Sequence, residues 1–164
     1  MRRLGAVPRS EPIVLTFDEN ERSPVVDRMR VMAETGTGWI NLSPGLDVDE
    51  PPPPQSALGT LIGGRGPTVP LATWMPARGG DPATVGIEHG QGPRALDRLT
   101  DDGVPLPEGW HKLQDHPRRG LVVVPTAGTA APQLDAVLHW LLRAAAALCP
   151  VRRTGEWRAY CYGM

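Results

Sequence analysis

The sequence predicts an α+β domain: three helices packed on a single mixed β-sheet of five or six strands, with an irregular α/β sandwich as the variant of the same plan. Two patterns carry this reading. Short runs of β-branched or alternating apolar residues recur between Pro- and Gly-rich turns, and three longer stretches repeat apolar residues at helical spacing. Length sets the scale: 164 residues, 40% of them hydrophobic, suffice for one substantial core and are few for two. Residues 1–11 lack periodicity and read as a flexible arm, which leaves 12–164 as one domain.

Ile13, Val14, Leu15 and Phe17 form the first strand and run into the acidic turn Asp18, Glu19, Glu21. Ser23 as N-cap and Pro24 as first helical residue open a helix over 24–34. Its apolar face is Val25, Met29 and Met32, and Gly36 ends it in a left-handed conformation. A second strand covers 38–43. Residues 46–56 then join acidic residues to four consecutive prolines, which favour polyproline II and cannot donate to a sheet ladder. A surface loop is the reading here; a ligand for a proline-reading module is the alternative, without the flanking basic residue of a PxxP motif. Gly63, Gly64, Gly66 and Pro67 make a turn before a strand over 69–76 whose prolines mark an edge or an end.

Val85, Gly86 and Ile87 give another strand, which passes through Glu88 and His89 into a helix opened by Pro93, lined by Leu96 and Leu99 and stopped at Gly103. Leu121 to Val124 hold three consecutive valines, and their continuous apolarity predicts a central strand buried on both faces. Over 133–148, Leu134, Val137, Leu138, Leu141, Leu142, Ala145 and Leu148 keep helical spacing up to Pro150. The last strand is 156–162, where Trp157, Ala159 and Cys161 alternate with Arg158, Tyr160 and Tyr162.

Charge narrows the function classes. A formal net charge of -1 gives no global attraction to nucleic acid or to an anionic membrane. Of the 17 basic residues only Lys112 is a lysine, a bias that GC-rich coding produces by itself. The arginines are therefore no signal of phosphate recognition until one of them meets an anion. Five tryptophans against one phenylalanine are spread over separate elements, which fits packing anchors better than a base-stacking platform. Cys149 and Cys161 read as buried thiols, a bridge requiring a geometry that spacing does not reveal. With no signal-peptide core and no apolar window near eighteen residues, a cytoplasmic chain is expected.

Two segments carry the chemical interest. In HGQGPRA, Gly90, Gly92 and Ala95 match the spacing G-x-G-x-x-A between a strand and a helix, where backbone N–H groups and Arg94 would hold an anion. Pro93 removes one donor, and a plain structural turn is the competing reading. In QDHPRRG, Asp115, His116, Arg118 and Arg119 stand at the mouth of the valine strand, where a rigid scaffold presents loop residues. The competing reading has His116 capping the turn and both arginines pairing with surface acids. His111 reads as an exposed or capping residue, and Asp135, His139 and Arg143 as a polar helix stripe. Neither H-x-x-x-H, C-x-x-C nor H-E-x-x-H occurs, so no metal ligands are assigned, although Glu88, His89 and His116 would be the residues to converge. G-x-S-x-G is absent as well, and both cysteines sit in packing positions.

Three function classes follow. The first binds a small anionic or phosphate-bearing ligand through Arg94, Arg118, Arg119, Gly90 and Gly92. The second is an interaction subunit acting through helix 133–148, whose Trp140 and Ala144–Ala147 surround suggest a homodimer. The third is a small enzyme with His116 or His89 as general acid/base beside Asp115. No cofactor is specified by any of them.

Overall fold

Alternation along the last strand builds half the sheet. In the computed structural model, which describes residues 11–47 and 68–163, that strand is β7 (Arg153–Tyr162). Trp157, Ala159 and Cys161 point to the covered face and are buried, while Arg158, Tyr160 and Tyr162 point away. β7 pairs with β1 (Ile13–Asp18) on one side and β2 (Trp39–Leu46) on the other. The sheet continues through β3 (Leu71–Met75), β4 (Thr84–Glu88), β6 (Gly120–Val124) and β5 (His111–His116), in the order β1-β7-β2-β3-β4-β6-β5. Every pairing among the described residues is antiparallel.

The α+β class therefore holds, with two corrections: the described sheet has seven strands instead of five or six, and it is antiparallel instead of mixed. The added strand is β5, whose sequence HKLQDH lacks the apolar alternation of a half-buried strand. It lies at an edge, where a strand satisfies only one neighbour and tolerates polar side chains on both faces. His111 thus belongs to a strand, where it is exposed.

Among the described residues three helices cover one face: α1 (Ser23–Thr35), α2 (Ala95–Asp101) and α3 (Ala131–Ala147). Their start signals are shifted from the sequence reading. Arg22 is the N-cap of α1, with no side-chain cap bond, and Ser23 and Pro24 fall in the first turn. Gly36 closes the helix in the left-handed region at φ 63. α2 starts at Ala95, not at Pro93, because Arg94 takes a left-handed conformation at φ 59. α3 packs against α1 and crosses beneath the middle of the sheet, which lets the chain pass from β6 near one edge to β7 near the other.

The valine strand β6 lies one place in from the edge, and one of its faces is covered. Leu121 and Val123 are each 1% exposed, whereas Val122 and Val124 are half-buried on the open face. Burial on both faces is therefore corrected: an antiparallel sheet can leave one face partly open, and no described helix covers the second face of this one.

Polar pairs pin the helices. Arg22 reaches from the start of α1 to both carboxylate oxygens of Asp135 on α3 at 2.9 Å, a bidentate fork that holds the Asp135 carboxyl below its ordinary range. Glu19 accepts from Arg153 Nη1 at 2.9 Å and from the Trp157 indole at 3.0 Å. The acidic turn after β1 is thus a clasp between β1, α1 and β7.

Trp140 is 6% exposed; it donates to the Pro105 carbonyl at 2.9 Å and meets Trp110 edge-on at 5.2 Å. Ala136, His139 and Arg143 are what α3 shows to solvent beyond its first turn. The apolar surround of Trp140 is thus covered within the chain itself. Both cysteines are free thiols, Cys161 buried and Cys149 half-buried. No described helix is long and apolar enough to cross a membrane. The flexible arm at 1–11 lies outside the described residues except for Glu11. So does the Pro-rich loop at 46–56, apart from Leu46 at the end of β2 and Asp47, whose amide donates to the Arg152 carbonyl.

Candidate functional site

Strand polarity brings the two segments to one end of the sheet. β4 runs out into HGQGPR where β6 begins, and the β5–β6 hairpin turns there through Pro117–Arg119. Asp115 makes the joint. Its two carboxylate oxygens accept from the amides of Ala95 and Leu96, each at 3.0 Å, and so cap α2 from a neighbouring strand. Arg94, left-handed and without a capping side chain, is the residue whose place this carboxylate takes.

That bond decides the fate of several candidates. Asp115 serves as a helix cap, each of its oxygens accepting one backbone amide. At the helix end of the anion cradle expected at Gly90 and Gly92, the Ala95 and Leu96 amides already hold the Asp115 carboxylate. Gly92 keeps a left-handed φ of 81 and serves the turn. Arg94 is an exposed side chain 3.9 Å from Asp97.

His89 is fully buried and accepts from the Gln91 amide at Nδ1, 3.2 Å away. The proton of the neutral ring then sits on Nε2, which is buried without a partner. Burial holds the imidazole below its ordinary pKa; the Asp115 carboxylate opposes this and Arg98 adds to it. The unfolded chain binds a proton at this histidine below about pH 6.5 while the folded chain resists it. Stability is therefore expected to fall as pH drops below that value. Thermal melts between pH 7.5 and 5 on the wild type and on His89→Gln check this, the variant being expected to lose part of the slope.

His116 behaves as a turn residue. Its Nδ1 accepts from the amides of Arg118 and Arg119 at 3.1 and 3.3 Å, and Gln114 donates to the carbonyls of Arg119 and Gly120 at 2.9 and 3.2 Å. The capping reading of His116 describes this geometry. The accompanying idea, that the two arginines pair with surface acids, does not: neither has an ion-pair partner among the described residues. Among the described residues no three His, Cys, Asp or Glu side chains are grouped to hold a metal.

Arg119 reaches a concavity. It borders a trough of about 200 Å³ on the open face of β3, β4 and β6. Gly86 and Val122 lie in its floor, Leu71, Thr73 and Thr84 along its sides, and Glu88 near Arg119 without pairing to it. Gly86 contributes no side chain to this concavity: a Cβ there would sit in ordinary van der Waals contact with the Leu121 carbonyl at 3.7 Å and a Val122 methyl at 4.0 Å, so a side chain could be placed there without a clash and would enter the trough. Sequence reading passed over Gly86 although a glycine inside a strand pattern is a recognised sign of close approach. A second hollow, about 170 Å³ and apolar, lies at the other end of the sheet between Trp74, Pro82, Pro125, Leu134 and Val137.

Comparison with protein-family models, with curated proteins and with solved structures gives no match.

Proposed function

We propose that this protein binds a small anionic ligand in the open-face trough, with Arg119 as the anion-binding residue. The observation behind it is the guanidinium of Arg119, unpaired among the described residues, at the rim of a concavity whose lining includes the side-chain-free Gly86. A planar fork of donors matches a carboxylate or phosphate. Glu88 in the same trough adds selectivity, since a ligand whose far end carries an ammonium or another donor satisfies both walls. This favours an anion with a cationic or donor tail over inorganic phosphate. Arg118 stands on the same turn and strengthens the local field, which falls off over about 8–10 Å at ordinary salt.

Thermal-shift titration with inorganic phosphate, phenyl phosphate and phosphoethanolamine tests the reading, because a ligand at a hundred times its Kd stabilises by about 2.7 kcal/mol. Phosphoethanolamine is expected to shift the melting temperature most. Arg119→Ala should weaken its binding about tenfold or more, the worth of a charged hydrogen bond. Gly86→Val should block the trough while leaving the melting temperature unchanged or raised, since valine suits an open strand position better than glycine does. Binding by both variants at wild-type strength, or no shift with any of the three anions, would overturn the proposal.

A further inference from the structure

The two strands that close the described sheet have very different edges. β5 is blunted: it carries Lys112, two histidines and a bulge between Lys112 and Gln114 that pushes Leu113 out of register. β1 reads IVLTFD, pairs with β7 in unbroken register over its whole length, and has no other strand neighbour among the described residues. Ile13 is 41% and Val14 50% exposed, and up to the terminal Asp18 the strand holds neither a charge nor a proline. Such an edge offers a row of unpaired N–H and C=O groups flanked by apolar side chains, which natural sheets ordinarily protect.

We propose that β1 is a self-association edge: two copies of this chain pair β1 with β1, antiparallel, about a twofold axis normal to the sheet, and double the seven-stranded sheet. The sequence of the strand selects the occupant. Residues directly opposite in an antiparallel pair share a face, so the helices of both copies stay on one side only if the axis passes through a residue. An axis at Leu15 places Leu15 against its own copy and Ile13 against Phe17 of the second copy on the helix side. On the open side Val14 stands opposite Thr16. Asp18 meets Pro12, so no like charges oppose one another within the paired stretch. A strand that matches itself this way needs no foreign partner. This interface is independent of the ligand trough, which lies beyond β2 on the other half of the sheet.

Sedimentation velocity across a dilution series of the full chain is expected to give twice the chain mass. Val14→Lys/Thr16→Lys and Val14→Glu/Thr16→Glu alter exposed side chains of the open face, and each is expected to be a folded monomer with wild-type circular dichroism. Mixed in equal amounts they should recover a dimer, because each lysine then faces a glutamate at both positions. Leu113→Lys on β5 should leave the dimer intact. A single-chain mass for the wild type up to high micromolar concentration, a dimer that survives the lysine pair, or a mixture that stays monomeric overturns the proposal.

Discussion

Val123→Asp is expected to lower the stability of the domain by about 3–5 kcal/mol, because it buries a carboxylate in an apolar layer. Val123 is 1% exposed and packs beside Val85 on the covered face. Lys112, its other neighbour in register, is exposed at the sheet edge and brings the expected loss towards the lower end of that range. Val122→Asp, one residue earlier, points into the open face and should cost about 1 kcal/mol or less. Urea unfolding of the two variants gives the comparison. Similar large losses in both would mean that the strand is covered on two sides.

Gly120→Val is the second large effect, expected at about 3 kcal/mol or more. Gly120 follows Arg119 with a left-handed φ of 76, a conformation that costs a side-chain-bearing residue about 1–3 kcal/mol. A Cβ there would also overlap the Ile87 carbonyl oxygen and lie 3.1 Å from the Glu88 Cα. β4 and β6 can approach one another at this point only because the side chain is missing. Gly92→Ala is the control: its φ of 81 carries the conformational penalty, about 1–2 kcal/mol, but its Cβ meets nothing within 4 Å. A Gly120→Val melt no lower than that of Gly92→Ala would contradict the close approach. The same glycine also fixes where Arg119 leaves the strand, so its loss should disturb the trough.

The helices were legible because each needs a continuous apolar face, and Val25, Met29 and Met32 or Leu134, Leu138 and Leu141 display it without reference to the rest of the chain. Their first residues were less legible. Pro93 and Ser23 are good openers in isolation, yet Asp115, twenty residues away from Ala95, supplies the cap that sets where α2 begins. β5 escaped because an edge strand need not be apolar, and the valine run of β6 overstated its burial because β-branched residues suit an open face as well as a covered one. Within the candidate site, proximity of the HGQGPR and QDHPRRG segments follows from β4 and β6 being neighbours, a pairing that one sequence does not specify. What joins them is a helix cap and not an open anion cradle. Gly86 was in plain view, but only the side chains around it turn a missing Cβ into a trough.

Amide chemical-shift mapping with phosphoethanolamine is the most direct test of the central claim. Saturable shifts are expected to cluster at Thr73, Thr84, Gly86, Glu88 and Arg119, and to be lost in Arg119→Ala. Shifts gathered instead around Pro125–Thr129 and Trp74, or spread evenly over exposed arginines without saturation, would contradict it.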